Sequence, residues 1–186
     1  AVKNSRIKRN EIFIVSKVWI SNYGYENARK SIDESLKKLQ TDYIDLMLLH
    51  QPFCDRYGAY LALEEAYKED KLRAIGISNF YPDHFIDIAS NMEIIPAVNQ
   101  VETHVFDQQI EAQKIMEEFG TRIMSWGPLA EGRNNFFNNT ILANTGAKYG
   151  KSIAQVALRW LIQRGVIVIP KSTHIERMKA VSYTHL

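Results

Sequence analysis

The sequence predicts an α/β protein in which short parallel strands alternate with amphipathic helices. Three observations lead there. Six short runs of apolar and β-branched residues recur, each followed by a segment of helical periodicity, at the spacing of βαβ units. The runs are near-continuous in apolar residues, as expected of parallel strands covered on both faces. No early strand is followed by a glycine-rich phosphate turn, so a (β/α)8 barrel competes well against a doubly wound nucleotide-binding sheet. The nearest look-alike, "GPLAEGRN" at 127–134, has Arg and Asn where a phosphate loop needs Lys and Ser or Thr.

Taken in order, "EIFIVSKVW" (11–19) is a first strand that carries Lys17 near its end. "YENARKSIDESLKKLQ" (25–40) places Ala28, Ile32, Leu36 and Leu39 at helical spacing. "YIDLMLLH" (43–50) is a second strand, apolar except for Asp45, that ends on His50 before Pro52. "GAYLALEEAYKEDK" (58–71) reads as a helix and "LRAIGISNF" (72–80) as a third strand. Pro82 sits in the first turn of a helix running to about Asn91. "IPAVNQVETH" (95–104) is a fourth strand, after which Asp107 is expected to cap a helix through Phe119. "TRIMSWGPL" (121–129) is a fifth strand, and 134–150 a loop and then a helix closed by Gly150. Ser152 is expected to cap "IAQVALRWLIQRG", closed by Gly165. "VIVIPKS" (166–172) is a sixth strand, and "HIERMKA" opens a last helix.

Composition narrows the function classes. The 186 residues are 46% hydrophobic and 24% charged, with a net charge of +2, which argues for one ordinary globular domain. Near-neutral charge gives no case for nucleic acid or a membrane surface as partner. The single cysteine, Cys54, excludes an internal disulfide framework and fits a reducing cytoplasm. Cys54 has no evident activating base and is read as a bystander. No apolar run reaches the roughly 18 residues of a membrane span.

The strand ends carry the chemistry. Lys17, His50, Ser78-Asn79, Asn99-Gln100 with Glu102, Ser125-Trp126 and Lys171-Ser172 stand in turn at the ends of the six strands. In a barrel such ends converge on one face, where active sites are built. A lone His or Lys there is ordinarily structural, and strands often end in polar surface. That alternative predicts scattered charges at both ends, not amides, a Trp and a His in one register. A lysine can lower the pKa of a neighbouring hydroxyl, and a histidine can donate to a carbonyl. Trp126 offers a face for a planar ring; Ser78, Asn79 and Gln100 can bind an amide. Lys171 and Arg177 flank the start of the last helix, an anion site. Together they suggest a nicotinamide dinucleotide.

These segments, with "SIDESLKKLQTDYIDLMLLHQP", "PAVNQVETHVFDQQ", "MSWGPLAEG" and "KYGKSIAQVALRWLIQRGVIVIPKST", resemble the aldo-keto reductases, most of all the bacterial 2,5-diketo-D-gluconate reductase type. The match follows family order from about residue 9 to residue 178. The resemblance implies a (β/α)8 barrel that binds NADPH and reduces aldehydes and ketones by hydride transfer, without a metal. It implies Lys17 and His50 as catalytic residues, and Ser78, Asn79 and Gln100 as holders of the nicotinamide carboxamide. It places Trp126 on the nicotinamide ring, Leu129 beside the pyrophosphate, and Lys171, Ser172 and Arg177 on the adenosine 2′-phosphate. Trp19 and Phe53 are expected to line the substrate pocket.

Two departures stand out. The family tetrad also uses an Asp and a Tyr that precede the lysine strand, and this chain has no counterpart; Tyr23, Tyr25 and Tyr43 lie in the wrong places. "AVK" at 1–3 is similar to the helix that follows that motif. The expectation is an N-terminally truncated, incomplete barrel with about six of eight strand–helix units, the first two missing, and little or no activity. At the other end, Ala180 and Val181 stand where Glu and Asn are expected. Residues 181–186 are read as a divergent tail on a partial barrel of residues 1–180. The protein is expected to be a cytoplasmic monomer acting on a small carbonyl compound. A non-catalytic nucleotide-binding or interaction module on the same fold is the alternative; the Lys17–His50 pair weighs against it.

Overall fold

The computed structural model describes residues 4–182. The "AVK" segment and the last four residues of the expected tail lie outside them. The described residues form an α/β fold with six strands in hydrogen-bonded order β1-β2-β3-β4-β5-β6, with β1–β2, β2–β3 and β5–β6 paired in parallel. The chain divides into two compact units, one running to Asn99 with Glu118–Thr121 added, the other comprising Gln100–Glu117 and the chain from Arg122 onward.

The first unit contains β1 (Val15–Val18), α1 (Tyr25–Leu39), β2 (Leu46–Leu49), α2 (Arg56–Lys68), β3 (Ile75–Ser78) and α3 (Pro82–Asn91). It also holds the first two residues of β4 (Val98–Glu102). All four residues of β2 and of β3 are buried, the burial expected of central parallel strands. Helix α1 turns Ala28 and Ile32 inward and ends where Gln40 takes the left-handed conformation. Helix α2 starts two residues earlier than its pattern suggests, because Asp55 caps it by accepting from Gly58 N at 2.9 Å.

Asp45, the polar exception in the second strand run, is buried at the entry to β2. It accepts from Ile14 N at 2.9 Å and from Arg9 Nη2 at 2.8 Å, with Arg73 Nη1 at 3.6 Å. Both guanidiniums lie 3.9 Å from the Tyr43 ring centroid. The carboxylate is thus compensated at the strand entries, away from the strand ends that carry Lys17 and His50.

The second unit contains the rest of β4, α4 (Ile110–Glu118) up to Glu117, β5 (Arg122–Trp126), α5 (Thr140–Tyr149), α6 (Ile153–Gln163), β6 (Ile167–Val168) and α7 (Ile175–Ser182). Asn139 caps α5 through Leu142 N at 3.0 Å. Ser152 and Gln155 form a reciprocal capping box at α6. Two expectations need correction. Asp107 does not cap α4: its backbone exchanges hydrogen bonds with His104 and its carboxylate accepts from Gln109 Nε2, so the helix begins at Ile110. The sixth strand is two residues long, not seven: it ends at Val168, two residues before Pro170, which has no N–H to offer a ladder.

Candidate active site

In the first unit the register assembles a polar strip. Lys17 pairs with Leu48, Val18 with Leu49, and Leu49 with Ile77. The ladder continues one step, His50 N donating to Val18 O at 3.1 Å. Side chains alternate along a strand and paired residues of parallel strands share a face. Lys17, His50 and Ser78 therefore stand on one face at the strand ends. The Trp19 ring meets the His50 imidazole edge-on, with centroids 4.8 Å apart.

Burial lowers the pKa of Lys17. Burial, and then the Lys17 charge, lowers that of His50. At neutral pH His50 is a neutral imidazole, able to donate one hydrogen bond. Asn79 has a left-handed backbone (φ 64°), and its Nδ2 donates to His50 O at 3.1 Å and to Ser78 Oγ at 3.3 Å. The side chain of Asn79 thereby ties the end of β3 to the end of β2.

Tyr23 lies near this strip but is already engaged. Its hydroxyl donates to Gln51 O at 2.7 Å and accepts from Gln51 N at 3.0 Å. Burial pushes its pKa up to about 12. It clamps the loop after His50. Nothing in the sequence signals that clamp, since a phenol on two backbone groups leaves no motif. Trp19 is 48% exposed and Phe53 56% exposed. Cys54 is exposed with a positive φ.

In the second unit Gln100 is buried on β4, with its Nε2 2.9 Å from Met124 Sδ, a weak acceptor. Trp126 ends β5, and its carbonyl accepts from Thr103 N at 3.3 Å. Ser125 Oγ donates to Thr103 O at 2.5 Å. These bonds set Trp126 and the end of β4 side by side. Leu129 packs against the cluster of Ala130, Phe136, Leu142 and Ala157. Further along, Lys171 and Arg177 are exposed, while Ser172 Oγ accepts from His174 N at 3.1 Å. Lys171, Ser172 and Arg177 thus gather around the first turn of α7, apart in sequence from Gln100 and Trp126. His104, which the strand-end survey passed over, is fixed between Glu102 Oε1 (3.2 Å) and the Phe106 and Asp107 amides on Nδ1. No group of His, Cys, Asp and Glu able to hold a metal ion occurs among the described residues.

The sequence matches the model of the aldo/keto reductase family over residues 1–183. It is 42% identical over 178 residues to the glyoxal reductase of Bacillus subtilis, an alignment covering 95% of this chain and 64% of that protein. An aldo-keto reductase from a Medee basin deep-sea metagenome superposes with a TM-score of 0.94 at 37% identity, covering 98% of this chain and 69% of the other. A silkworm (Bombyx mori) aldo-keto reductase solved with NADPH gives 0.90 at 26% identity, covering 96% of this chain and 60% of the other. The chain spans a little under two thirds of the length of these curated relatives. It belongs to the aldo/keto reductase family.

Proposed function

We propose, from that family membership, that the protein to which this chain belongs reduces small aldehydes and ketones to alcohols with NADPH. The observation that carries the reading is the Lys17–His50 pair. Two titratable groups stand on one face of neighbouring strand ends, each with its proton affinity lowered by burial. NADPH, when bound, supplies the hydride. His50 donates its ring N–H to the substrate carbonyl and fixes its orientation. Lys17 stabilises the deprotonated form of the hydroxyl that delivers the proton. Ser78, Asn79 and Gln100 hold the carboxamide. Trp126 stacks on the nicotinamide ring, and Leu129 borders the pyrophosphate. Lys171, Ser172 and Arg177 take the adenosine 2′-phosphate, which favours NADPH over NADH. Trp19 and Phe53 border the carbonyl compound.

The fold is a (β/α)8 barrel of which this chain supplies six units. The Asp and Tyr of the tetrad have no counterpart in this chain. This chain by itself therefore binds cofactor but does not turn over. The protein is a monomer, and its single cysteine fits a cytoplasmic setting. The test is a titration with NADPH followed by tryptophan fluorescence, alongside NADPH oxidation with glyoxal. Saturable quenching without turnover is expected, with binding weakened by Arg177→Ala for NADPH and not for NADH. Steady oxidation by this chain would overturn its inactivity, and no quenching at millimolar NADPH would overturn the binding.

A further inference from the structure

We propose that Asn99 is a positioning residue for the cofactor amide site: its side chain holds the turn leaving β3 and so aims Ser78 and Asn79. The inference rests on the nicotinamide-binding reading above. Asn99 lies in β4 and is wholly buried. Its Nδ2 donates to Phe80 O at 2.5 Å. Its Oδ1 is buried and has no hydrogen-bond partner among the described residues. Flipping the amide would set two oxygens against each other at that distance, so the Phe80 carbonyl dictates the orientation.

A buried acceptor left alone costs about 1–3 kcal/mol, so leucine would serve better if the position were only packed. What asparagine supplies is a donor for the carbonyl just after Asn79. That carbonyl closes a turn in which Asn79 holds φ at 64°, a conformation that costs roughly 1–2 kcal/mol for a residue with a Cβ. From that conformation Asn79 Nδ2 reaches His50 O and Ser78 Oγ. Side-chain amides thus tie three strands in series, the start of β4 to the turn after β3 through Asn99 and that turn to the end of β2 through Asn79. Without the Asn99 bond, Phe80 O loses its anchor. The left-handed turn relaxes, and the Ser78 hydroxyl and the Asn79 amide swing away from where a carboxamide would lie.

The test compares two ligands by calorimetry on the full chain: NADPH, and adenosine 2′,5′-bisphosphate, which has no nicotinamide. In Asn99→Leu, NADPH affinity should fall about tenfold, the worth of one well-placed hydrogen bond, while the bisphosphate binds as in the parent. Asn99→Asp sets a carboxylate against Phe80 O at neutral pH. Its NADPH affinity should recover as the pH falls and the protonated carboxyl becomes a donor, a recovery that Asn99→Leu lacks. Ser78→Ala combined with Asn99→Leu should cost less than the sum of the two. Unchanged NADPH affinity in Asn99→Leu overturns the proposal. So does an equal loss of both ligands, which marks general destabilisation. A parent chain that binds the bisphosphate but gains nothing from the nicotinamide half overturns the nicotinamide reading itself.

Discussion

Gly76→Ala is the sharpest test of the packing behind the strand ends. Gly76 lies in β3, two residues before Ser78, in register with Leu48. A Cβ built there meets Val98 O at 2.6 Å, Leu48 Cδ2 at 2.8 Å and Val98 Cγ2 at 3.1 Å. Carbon-to-oxygen contacts settle no closer than about 3.3 Å, so β3 and the start of β4 must part by about 0.7 Å. Leucine and valine tips can rotate; a backbone carbonyl in a ladder cannot. The cost therefore belongs at the upper end of overpacking, about 3 kcal/mol. For a chain of this length that lowers Tm by about 6–12 °C. The assay is urea and thermal denaturation of parent and variant side by side. Leu48→Ala in the same chain relieves only the contact at Cδ2, so the double variant should lose less than the sum of the two and still fall short of the parent. A Gly76→Ala stability within about 0.5 kcal/mol of the parent would refute the reasoning, since surface-like tolerance is incompatible with a carbonyl at that distance.

Three further outcomes are expected. Asp45→Ala strips the partner from Arg9 and the acceptor from Ile14 N. Because Arg9 and Arg73 are partly exposed, the loss is about 2 kcal/mol, less than for a fully buried pair, and is read as a lower urea midpoint at constant slope. Ser152→Ala removes half of a capping box and should cost about 1 kcal/mol, with helix α6 exchanging its first-turn amides faster. His50 has its pKa lowered in the folded chain, so the unfolded chain takes up the proton first as the pH falls. Its contribution is fully present above about pH 6.5 and is lost below it. Tm measured from pH 8 to 5 should therefore fall less steeply in His50→Gln than in the parent, and a steeper fall would sink this assignment.

The candidate site was legible in sequence wherever its residues end an apolar strand run. Lys17, His50, Ser78 and Trp126 all terminate runs whose apolar pattern marks the strand end to within a residue or two. Asp107 does not cap the helix because its backbone is held in a bridge with His104 and its carboxylate takes the Gln109 amide instead. The two-residue sixth strand was overextended for a similar reason: "VIVIPKS" has strand composition, but pairing depends on a neighbour and on an N–H that Pro170 lacks.

By itself, the order of residues determined the strand–helix alternation, the parallel sheet and which polar groups stand at the strand ends, because apolar periodicity and the wish to bury it are local properties. Only tertiary structure decided what those groups do to one another. The depressed proton affinity of Lys17 comes from burial, and that of His50 from burial and then from the Lys17 charge brought across the β1–β2 ladder. The engagement of Tyr23 comes from a loop folding back onto its hydroxyl. The hold of Asn99 on Phe80 spans 19 residues of chain. Each depends on a distance between segments remote in sequence, which no pattern of neighbours encodes.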